Sequence, residues 1–386
     1  MLKDLILVIV SLFTWGIGEG MFFYFQPLYL QQLGASPVAI GSIVGGTGIL
    51  LVLTQIPAGY LGDRFGRRQF LWLSWVIGCI ATWVMAASNS LPFFVIGILL
   101  YGLTGFVTPP LNSYLTHARG KWTVAQVIAA ASAAYNLGAV AGPSIGGAIA
   151  EQHGIKTLYF VAAGIFLVST VMIFFIDRQP VENRPHEGNS SQLLKNSRFI
   201  ALLGVVFITL FATYLPQPLA QNFLQNEKSV SLSNIGLLGS IASLGNAVLI
   251  LGLGNLRSRK GFLVGQSAVL VFALALWLGS GMPWFMVGYF LMGGYKALRS
   301  LSLALSRPLI HASQMGMAYG FIDTVASIAI ILSPGLAGLL YEISPALMFP
   351  VSVILIGISI VLALIFIPVQ EQTMDDVPVI LENSAK

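Results

Sequence analysis

Charge is what this sequence has least of. Only 9% of its 386 residues are Asp, Glu, Lys or Arg, against about 25% in soluble domains. A water-soluble chain of this length needs far more polar surface to cover one or two cores, so a soluble globular protein is excluded. Cysteine is nearly absent. The single Cys79 rules out an internal disulfide, and within an apolar run it reads as a small packing residue. Histidine is scarce: His117, His153, His186 and His311 fall in or near expected loops, at no metal-ligand spacing. No catalytic triad or metal cluster stands out. Gly16, Gly18 and Gly20 alternate inside an apolar helical run with no preceding strand, so they form no nucleotide loop. An enzyme, a cofactor and a bound metal are therefore not expected.

What the sequence has in excess is apolar residues, 56% of the chain. A helix needs about 20 mostly apolar residues to cross a bilayer. Such runs occur at 5–29, 37–60, 70–87, 91–114, 124–150 and 158–176, then at 199–218, 232–253, 262–278, 283–306, 315–341 and 345–367. The first is too long for a secretory signal and has no small-residue cleavage site before the next run. The spacing predicts an all-α integral membrane protein of 12 transmembrane helices. The formal charge of +5 would suit nucleic acid, but its placement points elsewhere. With the N-terminus cytoplasmic, fifteen of the 19 Lys and Arg residues fall in inner segments and only Lys156 and Lys228 in outer ones. That bias sets both termini on the cytoplasmic side of the cell membrane.

The longest polar stretch, with Pro180, Pro185, Gly188 and Ser190–Ser191, reads as a linker. It divides the chain into an N-terminal half (1–177), a cytoplasmic linker (178–198), a C-terminal half (199–368) and a cytoplasmic tail (369–386). The halves repeat. Gln26–Pro27–Leu28 recurs as Gln217–Pro218–Leu219, and Pro143 and Gly147 recur as Pro334 and Gly338, both at an offset of 191 residues. The segment Gly62–Asp63–Arg64–Phe65–Gly66–Arg67–Arg68 has a faded copy 192 residues on, at 254–260. Three recurrences at nearly one offset indicate duplication, as in transporters whose halves rock around a midplane site.

Between the second and third runs, Gly59–Tyr–Leu–Gly62–Asp63–Arg64–Phe65–Gly66–Arg67–Arg68 resembles the motif A loop of the major facilitator superfamily. Glycines permit a tight reversal there, and the Asp63 carboxylate can cap a helix or pair with an arginine. The resemblance implies a latch between the cytoplasmic ends of the halves, built from Gly59, Asp63, Arg64, Gly66, Arg67 and Arg68. In the fifth run, Gly138–xxx–Gly142–Pro143–xx–Gly146–Gly147 resembles motif C of the family's drug:proton antiporter branch. Small residues let helices approach closely, and Pro143 introduces a bend. The chain departs from that branch in one respect: run 91–114 carries no arginine, indeed no charged residue. The resemblance implies a major facilitator fold of two pseudo-symmetric six-helix halves, in which helices 1, 4, 7 and 10 line a central cavity.

Four charges lie inside the runs: Glu19, Lys296, Arg299 and Asp323. Ionisable groups at that depth are costly unless paired or wet, which makes each a functional candidate. At helical spacing, Glu19 shares a face with Trp15, Phe22, Phe23 and Gln26. Given the family's architecture, this stripe is expected to face substrate. Burial among aromatic rings disfavours a charged carboxyl, which suits Glu19 as a proton carrier or as counter-ion to a cationic substrate, with Asp323 a second candidate for proton coupling. Lys296 and Arg299 share a face, and Arg299 and Asp323 lie at similar depth, so an Arg299–Asp323 pair is expected, structural or functional. Lys296 then faces Glu19 or awaits an anion. Gln217, the copy of Gln26, joins the expected substrate residues. The expectation is a proton-coupled exporter of lipophilic small molecules working by alternating access as a monomer, with protons, substrate and lipid as its partners and no nucleic acid. The alternative is a transporter of an anionic amphiphile, lipid or organic acid, with Lys296 and Arg299 as its anion site.

Overall fold

The computed structural model describes residues 2–179, 196–310 and 315–367. Most of the linker (180–195), the end of the chain (368–386), His186, His311 and the side chains of 2, 55–65, 125 and 315–316 lie outside the described residues. The expected latch side chains at Asp63 and Arg64 are among them.

The first half comprises α1 (Leu2–Phe23), α2 (Gln26–Gln32), α3 (Pro37–Phe65), α4 (Arg67–Ala87), α5 (Leu91–Leu103), α6 (Thr108–Ala118), α7 (Val124–His153) and α8 (Ile155–Phe174). The second comprises α9 (Ser197–Tyr214), α10 (Ala220–Asn226), α11 (Leu232–Gly254), α12 (Ser258–Leu278), α13 (Met282–Met292), α14 (Gly294–Ser306), α15 (Met315–Ile343) and α16 (Met348–Phe366). Among the described residues, ten helices or helix pairs are long and apolar enough to cross a membrane. The fifth and tenth expected spans are occupied by the 30-residue α7 and by the broken pair α13–α14.

Local chemistry sets where the runs break. A proline ring inside a helix clashes with the carbonyl four residues back and lacks an N–H. Pro27 ends α1 at Phe23, and its copy Pro218 ends α9 at Tyr214. The expected run 5–29 is therefore a long helix followed by the start of a short one, and run 199–218 ends its helix at Tyr214, with the short α10 beginning beyond it at Ala220. Pro109 and Pro110 likewise interrupt run 91–114 with a 3₁₀ turn at Thr104–Val107. Run 283–306 breaks at Gly293, where an added Cβ would lie 2.6 Å from the Gly245 carbonyl oxygen of α11. The expected loop at 62–68 is also corrected. Helix α3 continues to Phe65, and the chain reverses at the single residue Gly66, whose φ of 104° favours glycine.

The offset of 191 holds element by element. It carries α4 onto α12, the start of α5 onto that of α13, and the start of α7 onto that of α15. Two residues related by it even touch: Asn222 Nδ2 donates to Gln31 Oε1 at 2.6 Å. Residues that are equivalent and in contact must flank the pseudo-twofold axis.

The halves meet along two seams. In one, Gly147 of α7 packs on the Leu232 and Gly236 backbone of α11, and Ser144 Oγ bonds Ser240 Oγ at 2.7 Å. In the other, Gly41 and Gly45 of α3 approach the Pro334 and Ile331 carbonyls of α15, while Gly338 approaches Pro37. Both seams gather at the end of the molecule that holds α2 and α10. There Asn222 also donates to the Pro27 carbonyl at 3.2 Å, and Asn226 donates to Gln31 at 3.1 Å. Outward faces of α8 and α16 expose Leu167, Val171, Ile354, Ile358 and Val361, surface that only lipid can solvate cheaply.

Candidate functional site

Glu19 sits one turn before the α1 break, half-buried. Two packing devices hold α1 there. Ser11 Oγ bonds Ser169 Oγ of α8 at 2.9 Å and accepts the Trp75 indole N–H of α4 at 2.7 Å. On the opposite side, Gly138, Gly142 and Gly146 of α7 lie against the α1 backbone, where added Cβ atoms would strike the carbonyls of Phe13, Ile17 and Met21. The motif C-like glycines are thus a contact stripe between α7 and α1, while Gly147 serves the seam with the other half.

The carboxylate of Glu19 is hydrogen-bonded rather than isolated among apolar rings. Trp15 Nε1 donates to its Oε2 at 3.2 Å. Tyr101 on α5 and Tyr135 on α7 are its nearest tyrosine neighbours electrostatically. Polar side chains from three helices therefore gather around one carboxylate, with Trp15 its hydrogen-bond donor. Trp15, 8% exposed, is itself fixed by Trp75 (ring centroids 5.0 Å apart) and Phe166 (4.5 Å).

The expected stripe holds only in part. Phe22 is turned into the core of its half, 1% exposed and packed on Tyr101, Tyr159 and Phe166, so it does not line a cavity. Because α1 stops at Phe23, Gln26 no longer continues its face; it opens α2, half-buried. Phe23 is 50% exposed beside Tyr24. Gln217 occupies the equivalent break after α9 and donates to the Thr213 carbonyl at 2.8 Å.

In the second half, Gly294, Ala297, Leu298, Leu301 and Leu305 bury one face of α14. Lys296 and Arg299 lie on the other. Arg299 Nε and Nη2 both donate to Asp323 Oδ1, at 3.3 and 3.2 Å, so the expected pair is present. It is not buried: the two side chains are 40% and 49% exposed. Lys296 is solvent-accessible, surrounded by protein, and has no hydrogen-bond partner among the described residues; its electrostatic neighbour is Glu19 in the opposite half. The two opposite charges thus belong to different halves and influence each other electrostatically. Tyr295, next to Lys296, stacks on Tyr214 of α9 at 5.2 Å.

At the end away from the seams, Arg67 Nη1 lies 2.6 Å from His117 Nδ1, and the Arg68 guanidinium lies 3.9 Å over the Trp72 ring. These two arginines of the expected latch serve contacts within their own half. His153 ends α7. Among the described residues no group of His, Cys, Asp or Glu could hold a metal. Sequence reasoning missed Tyr101, Tyr135, Tyr214 and Tyr295. Their signal was a phenol in an apolar run, since a buried hydroxyl seeks a polar partner.

Comparison with known proteins agrees with this architecture. The Major Facilitator Superfamily model matches residues 7–217 and 202–379. Multidrug resistance protein 2 of Bacillus subtilis is 24% identical over 360 residues, covering 88% of this chain and 89% of that protein. Multidrug resistance protein MdtG of Proteus mirabilis is 28% identical over 346 residues, covering 84% and 83%. A crystal structure of a mutant of the nucleoside transporter NupG superposes with a TM-score of 0.78 at 14% identity, over 94% of this chain and 98% of that one. With its helical halves and the family match along nearly its whole length, this chain belongs to the Major Facilitator Superfamily and is a multi-pass membrane transporter rather than an enzyme.

Proposed function

We propose that the protein is a proton-coupled secondary transporter that exports lipophilic small molecules by alternating access. The observation that carries this reading is Glu19, a half-accessible carboxylate within α1 that accepts the Trp15 indole N–H and has Tyr101 and Tyr135 as electrostatic neighbours. The name shared by the two relatives, multidrug resistance protein, supports the substrate class. With the basic segments taken as cytoplasmic, the seam end lies outside and the cytoplasmic end is the open one in this reading. Rocking the halves about the seams would carry Glu19 from one access to the other. A carboxylate only accepts hydrogen bonds, whereas a protonated carboxyl also donates one. Proton uptake therefore reorganises the Trp15, Tyr101 and Tyr135 contacts and links protonation to helix position. One charge crossing about 100 mV supplies roughly 2.3 kcal/mol. Asp323 is engaged by Arg299, and coupling is assigned to Glu19.

Glu19→Gln keeps size and hydrogen bonding but removes the titration. In proteoliposomes it is expected to abolish gradient-driven accumulation while leaving substrate exchange across the membrane intact. Continued accumulation against a gradient would remove Glu19 as the proton carrier. The second reading, an anionic amphiphile, is favoured by Lys296 alone, because Arg299 is already engaged by Asp323. It would take the lead if Lys296→Gln, and not Glu19→Gln, abolished binding.

A further inference from the structure

Helix α4 carries a buried glycine, Gly78, and what a side chain added there would meet is a single ring. A Cβ on Gly78 would lie 2.3 Å from Trp15 Cη2 and 3.1 Å from Cζ2 and Cζ3. Glycine inside a helix is less stable than alanine, so the chain gives up helix stability here and gains a notch. The notch holds the outer edge of the indole. Trp75, Phe166 and Tyr101 close round the same ring, at centroid distances of 5.0, 4.5 and 6.0 Å. From its other edge the ring donates Nε1–H to Glu19 Oε2 at 3.2 Å. We propose that Gly78 is a positioning residue for the proton site: its notch seats Trp15 so that the indole N–H sets how readily Glu19 takes a proton.

The duplicated half provides the contrast. At the offset of 191 residues, Trp15, Glu19 and Gly78 become Val206, Leu210 and Val269, all three buried. Notch, ring and carboxylate are exchanged together, and where no carboxylate needs a donor the notch is filled. An indole is rigid, so a methyl that displaces Cη2 also moves Nε1. At 3.2 Å the bond to Glu19 is already at the long end for N–H···O and has little slack. Losing it withdraws a donor that favours the charged carboxylate over the neutral acid. The other groups around Glu19 stay in place: Tyr101 of α5, Tyr135 of α7 and Lys296 of α14. Helices α4 and α8 bring Gly78, Trp75 and Phe166 to the ring, none of which titrates.

This inference rests on Glu19 as the proton site proposed above, and its test needs neither substrate nor gradient. Full-length protein in nanodiscs is titrated with pH and read by infrared difference spectroscopy, the Glu19 carboxyl band being the one lost in Glu19→Gln. Gly78→Ala and Trp15→Phe are each expected to raise the midpoint of that band by about one pH unit, the excess of a charged over a neutral hydrogen bond. The double variant should shift no further, because both changes remove the same donor. An unmoved midpoint in either single variant, a Gly78→Ala shift that adds to that of Trp15→Phe, or no titrating Glu19 band would each overturn the proposal. If Gly78→Ala folds only together with Trp15→Phe, the indole is what the notch admits, and a raised midpoint in Trp15→Phe alone completes the case. Failure of Gly78→Ala to fold in both backgrounds would make Gly78 a packing glycine and overturn it. A transport result against proton coupling would leave these midpoints standing, so failure of the two readings can be told apart.

Discussion

Where α7 packs on α1, the stripe Gly138, Gly142 and Gly146 brings two helix backbones into direct contact. Where α15 packs on α9, 191 residues later, the same stripe is Ala329, Ser333 and Ala337, and Ser333 Oγ donates to the Phe211 carbonyl at 2.9 Å. One plan thus gives a backbone-to-backbone joint in the first half and a side-chain joint in the second. The polar chemistry follows the same division. In the first half a carboxylate accepts from Trp15 beside two tyrosines on a closely joined helix. In the second, Arg299 and Asp323 pair in a half-exposed position near Lys296, which has no hydrogen-bond partner among the described residues. The difference separates a closely packed wall around a carboxylate from a more accessible wall that carries an ion pair and a lysine. Helix α7 also forms a seam through Gly147, so on the proposed mechanism α1 is tied through one neighbour to the interface that would move.

The sharpest way to break this comparison is at the joints. Gly142→Leu drives a side chain into the α1 backbone at Ile17, Gly20 and Met21, where no flexible neighbour can yield. Overpacking costs about 1–3 kcal/mol and occasionally more; against backbone we expect the top of that range, seen as lost monodisperse expression. Gly142→Ala should still lower the unfolding temperature clearly. At the copied position, Ser333→Ala removes one interhelical hydrogen bond, worth about 0.6 kcal/mol on average in a membrane. Equal thermal shifts for Gly142→Ala and Ser333→Ala would show that the two joints do not differ.

A smaller effect is expected at the twofold axis. Asn222 is 1% exposed and binds Gln31 and Pro27 across the seam. Asn222→Ala gives up both contacts, with Gln31 keeping Asn226 as a donor, a loss of about 0.5–1.5 kcal/mol per hydrogen bond confined to the state in which this end is closed. Folding should survive, while the population shifts toward states open at the seam end. Cysteines introduced near Gln31 would then label faster from that side. Unchanged labelling would mean that the amide contacts do not hold the seam shut.

The fold was largely legible because bilayer length, positive charge and a repeated proline–glycine pattern all leave marks in one dimension. Pro27 and Pro218 were visible as a repeat, but their consequence, helices ending four residues earlier, needed the rule about the carbonyl they clash with. The site was legible only as a list of charges. Which face of α1 is packed away depends on its neighbours α7 and α8, and helical spacing alone does not show that Phe22 is buried while the adjacent Phe23 is exposed. Tyr101 and Tyr135 reach Glu19 from helices distant in sequence, and no spacing rule joins them. The exposure of the Arg299–Asp323 pair was invisible for the same reason: an intramembrane position in the sequence is not a dry one when a cleft opens beside it.

That exposure sets the smallest and most discriminating effect. If the pair were sealed in the second half's core, removing one partner would strand a charge and cost about 3–5 kcal/mol. At 40% and 49% exposure, water screens both groups, and both donors crowd a single carboxylate oxygen rather than forming a two-oxygen fork. Exposed pairs of this kind contribute about 0.2–1 kcal/mol. A double-mutant cycle with Arg299→Gln and Asp323→Asn, followed by thermal unfolding in nanodiscs, is therefore expected to give a coupling below about 1 kcal/mol. Each single variant should remain folded. The coupling should also weaken between low and high salt, as screening of accessible charges requires. A salt-independent coupling of several kcal/mol would place the pair in a dry core and would make the two walls of the cleft alike.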